Sequence, residues 1–340
     1  MNTLIIHGAA RDSSILIGES IKNLPHYIPA KDVVVITDTT VNQLYRSFFS
    51  SYKVITIGRG EEIKTLDTLA AVYEQLIACE ADRSTFILGI GGGIVCDIAG
   101  LAASTYMRGL KFGLVATTLL AQVDASVGGK NGVNFRRFKN MIGTFNQPEF
   151  VICDFELLKT LPEKEVRCGI GEIVKHALIA DEALFSFLEK HADELLSLKP
   201  SVVEEAVTKS IRIKSAIVNK DEKERGERRL LNFGHTVGHA VEKNTSLTHG
   251  EALGVGITAA AALSNRRGLL SAAGYERIVA LLEKLHLPTK SDVKGETIMQ
   301  AIRLDKKREG DEIHFVLIDK IGHARVEKIS LVALSKLICE

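Results

Sequence analysis

Four short runs of β-branched and other apolar residues, separated by longer stretches, dominate the first half of this chain. Each run is apolar along nearly its whole length, which is typical of strands buried on both faces of a parallel sheet that helices cover. The spacing of apolar residues at 65–81 indicates a helix between the second and third runs. The four predicted strands are VVVITD (33–38), KVITIG (53–58), TFILGI (85–90) and FGLVATT (112–118).

The sequence changes character after Asp154. Apolar residues recur three or four positions apart through 157–217, as in Ala183, Phe187 and Leu188, and this spacing predicts successive helices. Further helices are predicted at 229–244, 250–268 and 275–285, followed by a strand at 313–319 and a terminal helix. We therefore expect an α/β domain at 1–154 and a mainly α-helical domain at 155–340.

Composition excludes several classes of protein. The 340 residues are 46% hydrophobic and 25% charged, which suits two domains with separate cores. The 43 Lys and Arg residues nearly balance the 42 Asp and Glu residues, so no global charge attracts nucleic acid or an anionic membrane. We expect neither as a partner.

The five cysteines are scattered and contain no C-x-x-C pair, so neither a disulfide framework nor a thiolate zinc site is predicted. The beginning of the chain, MNTLIIHGAARDSS, lacks the pattern of a signal peptide, and the apolar stretch at 252–263 is too short to span a bilayer. These features predict a cytoplasmic, soluble protein.

A glycine-rich turn follows the third predicted strand. Gly91, Gly92 and Gly93 precede a pattern of small residues typical of a helix, and the N–H groups at such a helix start can bind phosphate. Ile94 occupies the position of the third glycine of the dinucleotide fingerprint, so the turn alone favours a cofactor loop and an ordinary turn about equally. Polar residues expected at the same sheet edge, Asp97, Thr117 and Thr118, favour a nucleotide.

The segment 124–143 places lysines and asparagines among glycines. Lysines on a glycine-rich loop suit an anionic ligand, because the backbone can approach closely while the ammonium groups supply charge. The alternative is a solvated surface loop. The residues concerned are Lys130, Asn131, Lys139 and Asn140.

Three histidines form the strongest chemical signal. His235 and His239 lie four residues apart on one helix face, and His249 follows at the predicted start of another helix. Thr236 stands where a metalloprotease of the H-E-x-x-H type has its general base, so that reading is excluded. Glu172 adds a carboxylate three residues before Lys175. Two histidines and a carboxylate would leave an open position on zinc, whereas the alternative is a set of hydrogen-bonded core histidines.

Seven motifs in order and spacing resemble the 3-dehydroquinate synthase family, from about Asp38 to Val316. They are G-G-G-x-x-x-D (91–97), Y-M-R-G (106–109), T-T-L-L-A-Q-V-D-A-S-V-G-G-K (117–130), K-N-M-I-G-T-F (139–145), G-E-I-V-K (171–175), L-N-F-G-H-T-V-G-H-A-V-E (231–242) and H-G-E-A (249–252). The resemblance implies a nucleotide-binding first domain, a metal- and substrate-binding second domain and a homodimer.

The resemblance also implies a role for individual residues. A zinc or cobalt ion is expected on Glu172, His235 and His249. Contacts to NAD are expected from Asp38, Glu61, Lys64, Gly92, Gly93, Asp97, Thr117, Thr118, Lys139 and Thr160. Contacts to a phosphorylated keto-acid substrate are expected from Arg108, Asp124, Lys130, Asn140, Lys175, Lys214, Arg228, Asn232, His239 and one of the pair Lys306 and Lys307, with Arg108 reaching across the dimer interface. The family pattern D-x-N is replaced here by Asp38-Thr39-Thr40, in which Thr40 is shorter than asparagine but can still donate a hydrogen bond on the adenosine side. The segment 245–248 before His249 is short.

The implied reaction converts 3-deoxy-D-arabino-heptulosonate 7-phosphate to 3-dehydroquinate and phosphate, in the shikimate pathway of aromatic amino-acid biosynthesis. It proceeds through transient oxidation by NAD, phosphate elimination, re-reduction, ring opening and an intramolecular aldol. Rival functions are a related cyclase acting on a sugar phosphate without a carboxylate, a polyol dehydrogenase and a binding protein with a structural metal. Lys214, Arg228 and Asn232 favour the substrate that bears a carboxylate.

Overall fold

The β-branched runs of the first half form four neighbouring strands of a seven-stranded sheet, from its middle to one edge. The computed structural model describes residues 2–136, 138–303 and 308–339. The sheet has the order β1-β2-β9-β6-β5-β3-β4, and all neighbours are parallel except β1 and β2. Its strands are β1 (Asn2–Ile6), β2 (Ser13–Ile17), β3 (Val33–Asp38), β4 (Lys53–Ile57), β5 (Phe86–Gly91), β6 (Phe112–Ala116) and β9 (Phe150–Cys153).

The helices α1 (Thr39–Tyr45), α2 (Leu66–Ala78) and α3 (Gly93–Thr105) pack with this sheet, and two of them begin next to a residue whose side chain caps the helix. Asp38 accepts a hydrogen bond from the N–H of Val41 at the start of α1, and Thr65 accepts one from Thr68 at the start of α2. The four predicted strands and the helix at 65–81 are confirmed by these elements.

The sequence suggested a loop for the glycine-rich segment after Asp124. The structure instead has an antiparallel hairpin there, formed by β7 (Lys130–Phe135) and β8 (Phe138–Phe145). Gly132 and Gly143 face each other across it, and a Cβ on Gly143 would lie 2.2 Å from the carbonyl oxygen of Asn131. The glycines therefore allow close pairing of two strands whose composition gives no strand signal. Asn131 and Val133 are buried, and β7 packs against α3.

The second half consists mainly of helices. The predicted helical character is confirmed, but the expectation of one helix across 229–244 is wrong. Gly234 adopts a left-handed φ of 77°, which separates a 3-10 helix at Glu227–Asn232 from the following α-helix. The helices are α4 (Glu163–Ala180), α5 (Glu182–Leu196), α6 (Pro200–Lys220), α7 (His235–Asn244), α8 (His249–Arg266), α9 (Ala272–Lys284), α10 (Gly295–Arg303) and α11 (Leu331–Cys339).

A small antiparallel sheet completes this half. Its strands are β10 (Arg308–Glu309), β11 (Glu312–Lys320) and β12 (His323–Ser330). Helix α8 packs against β11, and α4 packs against β12.

Contacts divide the chain into two compact units. The first comprises Met1–Leu161 and Lys214–Glu222, and the second comprises Pro162–Ile213 and Lys223–Glu340. The sequence suggested a boundary after Asp154; the first unit here continues to Leu161 and includes the end of α6. No helix in the described ranges is both long enough and apolar enough to cross a membrane.

Candidate active site

In the first unit, the glycine turn after β5 leads directly into α3. Gly92 is the residue before the helix, so no side chain caps its first N–H groups. A Cβ on Gly92 would lie 3.0 Å from Thr118 Cγ2, and one on Gly93 would lie 2.9 Å from Ala125 Cβ. The first N–H groups of α3 are therefore uncapped, as at helix starts that bind anions, and a side chain at Gly92 or Gly93 would crowd its neighbours.

Four predicted residues of the first unit, Glu61, Lys64, Asp97 and Asn140, form one network that also includes Asn134. Lys64 is buried, forms an ion pair with Asp97 and donates to Asn140 Oδ1 at 2.6 Å. Asn140 donates its backbone N–H to Asn134 Oδ1 at 2.9 Å, and Asn134 Nδ2 donates to Glu61 at 2.8 Å. Burial raises the pKa of Asp97, while the charge of Lys64 opposes that rise. Side chains placed far apart in the sequence thus form one polar cluster.

The remaining predicted cofactor residues lie at strand ends or on the hairpin. Thr117 is buried and donates its N–H to Gly91 at 3.0 Å. Thr118 Oγ1 accepts from the N–H of Ala121 at 3.1 Å. Thr160 and Tyr45 share a hydrogen bond of 2.5 Å between their hydroxyls. Asp38 lies at the end of β3, and Lys139 is exposed on β8.

The predicted substrate residues of the first unit fall into two environments. Lys214 is buried, and its Nζ donates to the backbone carbonyl of Asp124 at 2.5 Å and to the carboxylate of the same residue. Lys130 and Arg108 are exposed. Arg108 has a φ of 70°, between Met107 at 48° and a glycine at 119°, so this loop holds three consecutive residues in the left-handed region. Such backbone strain is common at functional sites.

In the second unit, the three predicted metal ligands come together. Glu172 on α4 is fully buried, and its Oε1 lies 3.1 Å from His249 Nε2 and 3.3 Å from His235 Nε2. One ligand atom from each of the three residues lies within 4.8 Å of the others. Ligands about 2.1 Å from a tetrahedral zinc are spaced about 3.4 Å apart, so this set matches the dimensions of a zinc site.

Charge in this cluster favours an ionised carboxylate. Burial raises the pKa of Glu172, but the charges of Lys175 and His235 outweigh it and hold the pKa well below its ordinary value. Burial lowers the pKa of His235. Burial acts in the same direction on His249, yet hydrogen bonds to Glu172 and Glu242 outweigh it and raise that pKa to about 10.

Lys175, Arg228 and Asn232 are three further predicted substrate residues of this unit. Lys175 is buried and pairs with Glu172, and Arg228 is buried in the 3-10 helix before α7. Asn232 donates to Glu224 Oε1 at 2.5 Å, a contact that the sequence did not suggest. Lys306 and Lys307 lie outside the described residues.

His239 and Glu242 lie beside the cluster of Glu172, His235 and His249. The ring centre of His239 is 5.0 Å from that of His235 and 5.9 Å from that of His249. Glu242 Oε2 lies 3.4 Å from His249 Nδ1. Sequence reasoning missed Glu242, although its position seven residues after His235 puts it on the same face of α7.

Glycines bring the backbones of the three ligand-bearing helices into contact. A Cβ on Gly171, which precedes Glu172, would lie 3.2 Å from the carbonyl oxygen of Gly250 on α8. A Cβ on Gly256 would lie 2.0 Å from the carbonyl oxygen of Gly234, which precedes His235. The ligands converge because no side chain separates the helix backbones beside them.

Family models and a curated relative both match this chain to 3-dehydroquinate synthase. Models of the N-terminal and C-terminal parts of 3-dehydroquinate synthase match residues 54–168 and 169–308. The chain is 42% identical to a 3-dehydroquinate synthase from Halorhodospira halophila, over 96% of this chain and 95% of that protein.

Two solved structures of other synthases resemble this chain over nearly its whole length. A 2-deoxy-scyllo-inosose synthase in complex with carbaglucose-6-phosphate, NAD+ and Co2+ is 28% identical with a TM-score of 0.88, and 99% of each chain is covered. A 2-epi-5-epi-valiolone synthase from Streptomyces hygroscopicus subsp. jinggangensis, with NAD+ and Zn2+ bound, is 28% identical with a TM-score of 0.89, over 99% of this chain and 98% of the other.

Proposed function

Because the chain belongs to the 3-dehydroquinate synthase family, we propose that its two units divide the work of that reaction, the first binding NAD+ and the second binding a divalent metal and the substrate. The protein is a cyclase that eliminates phosphate and forms 3-dehydroquinate from 3-deoxy-D-arabino-heptulosonate 7-phosphate. The observation that carries this assignment of roles is the convergence of Glu172, His235 and His249 at ligand spacing.

The donor set fits zinc or cobalt. A buried, ionised carboxylate and two imidazole nitrogens are ligands that both metals accept, and a set of three leaves a coordination position for substrate. When bound, the metal would supply a Lewis acid that lowers the pKa of a substrate hydroxyl. Glu172, His235 and His249 would hold it, and Lys175 keeps Glu172 ionised through their buried ion pair.

The start of α3 fits the diphosphate of NAD+. Its first N–H groups carry no side-chain cap, and Gly92 leaves the backbone open to a ligand. When bound, NAD+ would supply a transient acceptor for hydride. We propose that Lys64 and Asp97 fix the nicotinamide side of this unit through their ion pair. The other proposed contacts are Asp38, Glu61, Gly93, Thr117, Thr118, Lys139 and Thr160.

The substrate carries a carboxylate and a phosphate, so its binding requires fixed positive charge. In the second unit, Lys175 and Arg228 are buried cations, which bind anions strongly because little water screens them. In the first unit, Asp124 holds the Nζ of Lys214 at a defined position. The further proposed contacts are Arg108, Lys130, Asn140, Asn232, His239 and Lys306.

The decisive experiment follows phosphate and reduced nicotinamide together. Protein freed of metal with a chelator should release no phosphate from the heptulosonate phosphate, and Zn2+ or Co2+ should restore release. Phosphate should greatly exceed NADH, because hydride returns to the substrate in each cycle; equal yields of the two would assign a dehydrogenase instead. Glucose 6-phosphate serves as the control substrate and should give no release.

The metal role has its own variant test. Glu172→Gln should lose most of its metal affinity, because one of three protein ligands is weakened, while its circular dichroism remains that of the wild type. Metal content after dialysis is the readout. Equal metal content in the variant and the wild type would remove Glu172 from the ligand set.

We also propose a homodimer in which Arg108 acts on the partner's substrate. The exposed left-handed loop that carries Arg108 and the exposed apolar side chains Phe138, Met141 and Phe145 of the hairpin support a surface for a second copy. Light scattering should give twice the mass of the chain. Mixing inactive Arg108→Ala with inactive Glu172→Gln subunits should restore activity in mixed dimers, and no recovery would place Arg108 at its own subunit's substrate.

A cytoplasmic location is the remaining proposal. The four cysteines whose side chains are described are free thiols, which fits a reducing compartment. Cell fractionation tests it, and recovery of the protein outside the cytoplasm would contradict it.

A further inference from the structure

His249 directs its two ring nitrogens at two different carboxylates. Its Nε2 lies 3.1 Å from Glu172 Oε1, whereas its Nδ1 lies 3.4 Å from Glu242 Oε2. Glu242 projects from α7 at the i+7 position relative to His235, so the same helix supplies both a metal ligand and the second partner of the other ligand.

His235 shows the same division of its ring. Its Nδ1 lies 3.3 Å from the backbone carbonyl of Phe233, and its Nε2 lies 3.3 Å from Glu172 Oε1. A carbonyl can only accept, so this bond requires a proton on Nδ1 and leaves the lone pair of Nε2 for a metal. With a metal in place of a proton at Nε2, the carboxylate of Glu242 would hold the remaining proton on Nδ1 of His249.

A competing donor set shares His249. One ligand atom each of His239, Glu242 and His249 also lie within 4.8 Å of one another. The side chain of Glu172, however, is 0% exposed, whereas that of Glu242 is 13% exposed. A fully buried carboxylate needs compensating charge far more than a partly exposed one does. Lys175 supplies part of that charge, but Glu172 is also the nearer carboxylate to His249, at 3.1 Å against 3.4 Å for Glu242, so the set with Glu172 is the better candidate.

We propose that Glu242 is a positioning residue for the metal site: it accepts the Nδ1–H of His249 and so fixes the tautomer and the ring orientation that direct Nε2 at the metal. This inference rests on the proposed function, since it takes Glu172, His235 and His249 as the ligands. Partners of this kind typically contribute a factor of about 10 to 100 in metal affinity.

Two variants separate positioning from charge. Glu242→Ala removes the acceptor and should weaken metal binding about 10- to 100-fold. Glu242→Gln keeps an acceptor oxygen without the charge, so it should lose less. The matched control is Glu251→Gln, because Glu251 is also 13% exposed and lies two residues from His249, but its carboxylate bonds to Thr248 at the start of α8.

The measurement is titration of metal-free protein with Co2+ in competition with a chromophoric chelator, together with the visible spectrum of the bound Co2+. Melting of each metal-free variant first establishes that it is folded. We expect weaker binding and shifted Co2+ bands in Glu242→Ala, a smaller loss in Glu242→Gln, and the Co2+ affinity of the wild type in Glu251→Gln and His239→Ala.

Three results would overturn the proposal. Wild-type affinity and spectrum in Glu242→Ala would leave Glu242 without a role at the metal. Equal losses in the Ala and Gln variants would assign the effect to charge alone. Loss of Co2+ in His239→Ala with retention in Glu172→Gln would make Glu242 a ligand of the competing set. Absence of Co2+ binding by the wild type itself is a separate result, because it removes the metal from the proposed function.

Discussion

Replacing Gly100 with alanine should destabilise the first unit although alanine favours helices. Gly100 lies within α3, where a Cβ would stand 1.9 Å from Asn131 Oδ1 and 2.5 Å from its Cγ. Asn131 cannot simply turn away, because its Nδ2 donates to the carbonyls of Gly129 at 3.0 Å and Asn146 at 2.9 Å. The added methyl group must therefore displace either the side chain or the whole of β7.

The cost follows from three contributions. Overpacking costs about 1–3 kcal/mol, and loss of the two hydrogen bonds costs about 1 kcal/mol each. The higher helix propensity of alanine returns about 0.5–1 kcal/mol. The sum is a destabilisation of about 2–4.5 kcal/mol. Since β7 begins at Lys130, a proposed substrate contact, turnover should fall as well.

Hydrogen exchange of amides in α3 and β7 measures this loss within the unit concerned, without assuming that the two units unfold together. The control is the same substitution in an Asn131→Ala background, where the clashing atoms are gone. There the Gly100→Ala change should be nearly neutral. An equal loss of protection in both backgrounds would refute the reasoning, because it would show that the Asn131 side chain is not what the methyl group meets.

Further predictions concern charged side chains. Lys130→Ala and Arg228→Lys should each lower turnover about 10- to 100-fold. The lysine variant loses a charged hydrogen bond to substrate, and the arginine variant loses the forked geometry of the guanidinium. Unchanged steady-state kinetics would remove these residues from the substrate site. Hydrogen bonds from Lys199 and His191 lower the pKa of Glu194 to about 2, so its stabilising effect is complete above the ordinary carboxyl value of 4.5 and is lost as the pH falls from there towards 2. Urea unfolding should show Glu194→Gln less stable than the wild type at neutral pH, with a difference that vanishes in acid; a constant difference would contradict this assignment.

Among the strands that the sequence predicted, β3, β5 and β6 are apolar along nearly their whole length. These three strands lie inside the sheet, so burial on both faces leaves a continuous apolar run in the sequence, whereas β4 is an edge strand that begins at the exposed Lys53. Strand β12 and the hairpin of β7 and β8 escaped prediction, since HARVEKIS is largely polar and the hairpin is rich in Gly, Asn and Lys. Their pairing depends on partners that no local pattern encodes.

Some features of the candidate site could be predicted from the sequence and others could not. Spacing along one helix brought His235 and His239 together in the prediction, but it did not decide which of the histidines bind metal; family resemblance supplied that choice. The connection of Lys64 to Asp97 and Asn140 joins distant segments and could not be read from spacing. Glu242 could have been found from its i+7 position, although carboxylates on a helix face are usually solvated.

The glycines beside the ligands have a consequence for the evolution of this protein. Gly171, Gly234 and Gly256 are expected to touch neither metal nor substrate, yet each occupies a place where two backbones meet and a methyl group would push them apart. In a library of random variants these positions should be as intolerant as the ligands themselves. Selection for a new substrate would have to leave them unchanged and draw its diversity from side chains farther from the helix contacts. The site can therefore change what it binds more readily than how its helices meet.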